Sequence, residues 1–122
     1  MLRHIVLFAF KEDVPAAERA AIIEAIQGLR TTVPSLRSLE VGENISPARA
    51  QGYTHILCET FDDRVGLAEY GTHPAHVPVA ARIRVAAAQL LAVGSCTLPV
   101  FVSAGINLTR LSSTTSAETM AC

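Results

Sequence analysis

The 122-residue chain is 50% hydrophobic and 17% charged, a length and mix that specify one compact domain and exclude a linker-like or multidomain chain. Ten Lys+Arg against eleven Asp+Glu leave a formal net charge of -1, so no basic excess is present to neutralise a phosphate backbone, and no nucleic-acid partner is expected. The first apolar run, Ile5 to Phe10, is too short for a signal-peptide core or for the roughly 20 residues that span a bilayer. No membrane association is therefore expected, and the chain reads as cytoplasmic, with Cys58, Cys96 and Cys122 as free thiols at spacings that match no zinc or redox motif.

Leu2 to Phe10 reads as a strand, rich in β-branched and aromatic residues and apolar on both parities. Alternation sets His4, Val6, Phe8 and Phe10 on one face and Arg3, Ile5, Leu7 and Ala9 on the other. Pro15 suits a first helical turn, and Ile22, Ile23, Ile26 and Leu29 recur at helical spacing, which predicts a helix from Pro15 to Arg30. Pro34 ends that path. Leu36 to Glu43 follows as a short strand, and Asn44 to Gly52 collects Asn, Ser, Pro and Gly as a loop. The third strand runs from Tyr53 to Phe61, with His55, Leu57, Glu59 and Phe61 sharing a face. Asp62-Asp63 offers an N-cap to a short helix carrying Val65, Leu67, Ala68 and Tyr70. The last helix is expected from His73-Pro74 through Val79, Ile83, Ala86 and Leu90.

Strand, helix, strand, strand, helix and a closing strand make the α+β, ferredoxin-like split βαβ arrangement, a four-stranded antiparallel sheet with helices on one face. The apolarity of both parities in the first strand calls for a cover on the open face. A second copy packed sheet to sheet supplies one, making the chain a homodimer; a tail folded across the sheet satisfies the same pattern.

Arg3-His4-Ile5-Val6-Leu7-Phe8, Gly52-Tyr53-Thr54-His55 and Tyr70-Gly71-Thr72-His73-Pro74-Ala75-His76 together resemble the stress-responsive dimeric α/β-barrel (Dabb) domain family, over roughly residues 1 to 93. The resemblance implies a ferredoxin-like protomer whose sheet pairs with a second copy into a dimeric α/β barrel. It also implies either of two functions. A cofactor-independent polyketide-cyclase branch of the family uses a tyrosine and the second histidine of a Tyr-x-x-His-Pro-x-His segment, positions that fall on Tyr70 and His76 as catalytic residues. Its histidines on strands one and three fall on His4 and His55, which with Phe8 are carried over as substrate-binding residues. Other members are known only as stress-induced proteins, and a non-catalytic, small-ligand-binding dimer is the alternative. Two positions depart from the cyclase pattern: a pocket tyrosine falls near Ile26, and the acidic residue that follows the closing strand is replaced by Gly94.

The residues themselves are suited to acid/base chemistry on a hydrophobic carbonyl compound, whether cyclisation, isomerisation or lyase chemistry. A histidine about two residues inside a helix start is biased neutral by the helix dipole, and a neutral imidazole is a suitable base near pH 7. A tyrosine hydroxyl can donate to a developing oxyanion. Structural roles stand beside these: a histidine next to proline at a helix start also serves as a cap, and Tyr70 at helical spacing from Leu67 also fits a core position. His73 is read as a cap or loop residue. His4, on an apolar parity, needs a hydrogen-bond partner if it is buried. Because the first and third strands are antiparallel neighbours, His4 and His55 fall toward opposite ends of the sheet. Glu59 either orients a histidine or reaches solvent, and the second is expected. His73 and His76 are three apart but lack a third ligand, so neither a metal nor any other cofactor is expected.

Past Leu91 two apolar runs, Ala92 to Cys96 and Leu98 to Val102, compete to close the sheet. The domain is set at residues 1–102, with 103–122 as a polar C-terminal tail to which no activity is assigned.

Overall fold

The computed structural model describes residues 1–97. In chain order it contains β1 (Leu2–Phe10), α1 (Ala16–Thr32), β2 (Ser38–Glu43), β3 (His55–Phe61), α2 (Arg64–Thr72), α3 (His76–Ala86) and β4 (Ala87–Cys96). The strands form one antiparallel sheet in the order β2-β3-β1-β4, which is the ferredoxin-like arrangement expected from the element order. Among the described residues no helix is long and apolar enough to cross a membrane.

Packing follows the parity of β1. Val6 and Phe8 are buried on one face of the sheet, with Leu57 and Phe61 of β3 beside them and Ile22, Ile26 and Leu29 of α1, Tyr70 of α2 and Ile83 of α3 in the same core. The register sets Ile5 beside Cys58 and Val93, and Leu7 beside Ile56 and Leu91, on the opposite face. Among the described residues no helix covers that face: Leu91 and Val93 are 45% and 49% exposed.

Two boundaries of α3 differ from expectation. The helix begins at His76 rather than at Pro74, because the chain between α2 and α3 is a tight turn. His73 caps the C-terminus of α2, its carbonyl accepts the backbone N–H groups of His76 and Val77, and its Nδ1 accepts the N–H of Ala75 at 3.0 Å. His73 is thus a loop residue. At the other end the helix stops at Ala86, and β4 starts at Ala87 with no connecting loop. Leu90 continues the helical spacing by coincidence, since it pairs with Phe8 in the β1–β4 ladder.

Residues Ala92 to Cys96 are the end of the closing strand, and Gly94 lies within it, opposite His4. Leu98 to Val102, the polar tail and Cys122 lie outside the described residues. Asp63 caps α2 as expected, its Oδ1 accepting the N–H of Gly66 at 3.0 Å. Cys58 is a free, exposed thiol, whereas Cys96 is disulfide-bonded and not the free thiol expected.

Candidate active site

Between the helix-covered face of the sheet and α3 lies a cavity of about 230 Å³. Its wall is mainly apolar: Val6 and Leu57 from the sheet, Ile26 and Leu29 from α1, and Val79 and Ile83 from α3. Into this wall are set His4, Glu59, Tyr70, His76 and Arg84.

The polar groups form a connected set. Tyr70 hydroxyl donates to Glu59 Oε1 at 3.0 Å, and His4 Nδ1 lies 3.3 Å from Glu59 Oε2. Glu59 is 1% exposed, so these two partners replace the water its carboxylate would otherwise bind. The β1–β3 register sets His4 directly opposite Glu59. Glu59 does not reach solvent as expected; it holds the histidine and the tyrosine together, because its parity points inward and its neighbours offer two donors.

His76 packs on Tyr70 with ring centroids 4.1 Å apart. Its Nδ1 lies 3.3 Å from the Gly71 carbonyl oxygen. A carbonyl only accepts, so Nδ1 carries the proton and the lone pair is left on Nε2. Burial lowers the His76 pKa below its ordinary 6.5, against a smaller opposing effect of the Gly71 hydrogen bond. The imidazole is therefore biased toward its neutral form, by burial first. Burial, reinforced by the nearby Glu59 carboxylate, drives the Tyr70 pKa far above the usual phenol range. Tyr70 is thus a hydrogen-bond donor and not a base.

Of the residues expected at a site, the structure brings together His4, Tyr70 and His76 and leaves out His55 and Phe8. Phe8 is 0% exposed, packed into the core rather than lining the cavity. His55 pairs with Phe8 across the β1–β3 ladder, stacks on its ring at 5.2 Å, and meets Phe10 edge-on at 5.1 Å. It stands at the far end of β3 from Glu59. Arg84 also lines the cavity but belongs to no motif in the sequence; its spacing from His76 and Ala80 on one face of α3 is the signal that points to it. Among the described residues no cluster of three His, Cys, Asp or Glu side chains is placed to hold a metal ion.

Comparison with known proteins agrees with this architecture. The chain is 32% identical over 80 residues, 65% of its length and 73% of the relative's, to the stress-response A/B barrel domain-containing protein HS1 of Arabidopsis thaliana. It is 26% identical over 77 residues, 62% of its length and 76% of the relative's, to olivetolic acid cyclase of Cannabis sativa. A dimeric ferredoxin-like protein of unknown function from Thermobifida fusca superposes with a TM-score of 0.69 at 26% identity, covering 79% of this chain and 90% of that one. The Dabb family profile, the Stress responsive A/B Barrel Domain, matches residues 2–95, and the chain belongs to that family.

Proposed function

We propose that the cavity binds a small hydrophobic carbonyl compound and that His76 acts on it as a general base without metal or organic cofactor. The observation that carries this reading is the His76 imidazole, neutral by burial and with its free lone pair on Nε2, set in an apolar chamber against the Tyr70 ring. Nε2 takes a proton from the carbon next to the carbonyl, and the electron pair left behind moves onto the carbonyl oxygen. Tyr70 then turns its O–H from Glu59 Oε1 toward that oxygen, a rotation about the C–O bond that leaves the ring in place. Glu59 and His4 keep the phenol positioned. The likeness to olivetolic acid cyclase supports a ring-closing reaction of this type.

A second reading is favoured by one observation: the Tyr70 proton is committed to Glu59 in the structure, as suits a protein that retains a ligand without turning it over. A panel of polyketide-like and β-keto compounds assayed with wild type, His76→Ala and Tyr70→Phe separates the two. Catalysis predicts that His76→Ala loses roughly a hundredfold or more in kcat/KM and Tyr70→Phe a smaller factor. Equal rates in all three proteins overturn the catalytic reading, and binding without turnover establishes the other.

The same proposal includes a second copy of the chain over the open sheet face, where Ile5, Leu7, Ile56, Leu91 and Val93 form an apolar surface of the kind that marks an interface. The dimeric relative supports it. Sedimentation at micromolar concentration is expected to give a dimer, and a monomer counts against it.

A further inference from the structure

We infer that the ligand of this cavity is an anion, a hydrophobic carbonyl compound with a carboxylate at one end that Arg84 receives. This rests on the reading of the cavity as a carbonyl site and narrows its substrate class.

Among the described residues two charged groups other than histidine line the chamber, Glu59 and Arg84. They differ in how their charge is answered. Each oxygen of Glu59 has a partner within the protein. Arg84, by contrast, has no carboxylate within ion-pair distance among the described residues, whose three ion pairs are His4–Glu59, Arg37–Asp62 and Arg82–Glu18. Its neighbour Arg82 is the arginine of α3 that α1 engages, with Nε and an Nη on the two oxygens of Glu18 at 2.9 Å and 3.0 Å. Helical spacing thus sends Arg82 to an internal partner and Arg84 to the cavity, where its guanidinium fork is open to a planar two-oxygen acceptor.

Placement along α3 orders the ligand. Arg84 lies just over two turns beyond His76, roughly 12 Å along the axis, and helical side chains lean back toward the N-terminus, here toward His76. The Arg84 charge is felt at the imidazole. Between the two stand Val79, Ala80 and Ile83, all lining the cavity. Glu59, buried deeper, repels a carboxylate entering acid end first. A ligand that satisfies all of these groups carries its carbonyl toward His76 and Tyr70, a hydrocarbon stretch along the apolar wall, and its carboxylate out at Arg84, which is exposed.

The test compares 5-oxodecanoate with its methyl ester by titration calorimetry on wild type, Arg84→Gln and Arg84→Lys, so that the readout is binding rather than turnover. Wild type is expected to hold the acid roughly threefold to tenfold tighter than the ester, in keeping with a partly exposed charge-assisted contact. Arg84→Gln is expected to reduce that ratio to about one by weakening the acid far more than the ester, and Arg84→Lys to retain part of it. Decyl phosphate in place of the acid shows whether the preference is for carboxylate geometry or for any anion; preference for the phosphate overturns the carboxylate assignment.

Equal binding of acid and ester by wild type, or a preference that survives in Arg84→Gln, overturns the inference while the carbonyl site stands. A charge preference in a protein that turns over no carbonyl compound upholds the inference and overturns the catalytic reading. Failure to bind either compound overturns both.

Discussion

His4 and His55 share one face of one sheet and the same parity on neighbouring strands, yet the protein uses them oppositely. At one end of the ladder His4 faces Glu59 and joins Tyr70 and His76 around a cavity. At the other, His55 faces Phe8 and is held between two phenyl rings. The difference lies in the cross-strand partner. A carboxylate partner binds a histidine through hydrogen bonds and leaves an apparatus that can handle protons, while an aromatic partner uses the imidazole as a flat packing surface. Residue type and parity are alike in the two places, and register decides between them.

Removing the carboxylate breaks that contrast most sharply. Glu59→Ala leaves the buried Tyr70 hydroxyl and the His4 ring without their acceptor, and at about 1–3 kcal/mol for each unsatisfied buried group the fold is expected to lose roughly 2–4 kcal/mol in urea unfolding. Glu59→Gln keeps an acceptor for Tyr70 and is expected to lose less than half as much. A loss from Glu59→Ala no greater than that of an average surface substitution means the pair is not held as described.

The aromatic end responds more weakly. His55→Ala removes stacking on Phe8 and Phe10, expected to cost about 1 kcal/mol, read as a fall in urea midpoint at constant slope. A cost equal to or above that of Glu59→Ala reverses the ranking of the two ends.

Acidification sharpens the comparison by a smaller and graded effect. Burial lowers the pKa of both His55 and His76 from 6.5 in the folded protein. As pH falls through 6.5 the unfolded chain takes up protons that the folded chain still refuses. Stability present above 6.5 is therefore lost progressively down to the lowered folded-state values. Replacing either histidine with glutamine is expected to flatten this acid limb in part, and the double variant to flatten it more. If general-base catalysis operates, kcat/KM holds as pH drops through 6.5 and declines only beneath it. Stability rising on acidification from pH 7 to pH 5.5 in wild type but not in the double variant contradicts the burial of these rings.

Much of this architecture was legible in the sequence. The bounds of β1, the capping aspartate of α2 and the shared faces of His4 with Val6 and Phe8 and of Leu57 with Phe61 follow from alternation and turn chemistry alone; which face turns inward does not, because both parities of β1 are apolar. The separation of His4 from His55 also follows, since it needs only antiparallel neighbours. The role of Glu59 was legible only as the less expected of two alternatives, because a lone glutamate on an apolar parity is ordinarily a side chain reaching for water. Only the pairing that puts it opposite His4 and beneath Tyr70 reveals two donors waiting for it. The end of α3 was misleading for a related reason. Leu90 satisfies helical and strand periodicity together, and its β1 partner settles which one holds.

The join at Ala86 and Ala87 bears on how anything gets in. One uninterrupted stretch of backbone supplies two walls of the chamber, Val79 to Arg84 from the helix and Leu90 and Ala92 from the strand, and Lys11 N–H clamps the Ala86 carbonyl at 2.8 Å. With no slack between them, these walls move as a unit with the sheet. Among the described residues no loop parts the two walls, so what can move at the rim is side chains, on nanosecond timescales. The proposed ligand thus meets a chamber whose dimensions are set when the polypeptide folds.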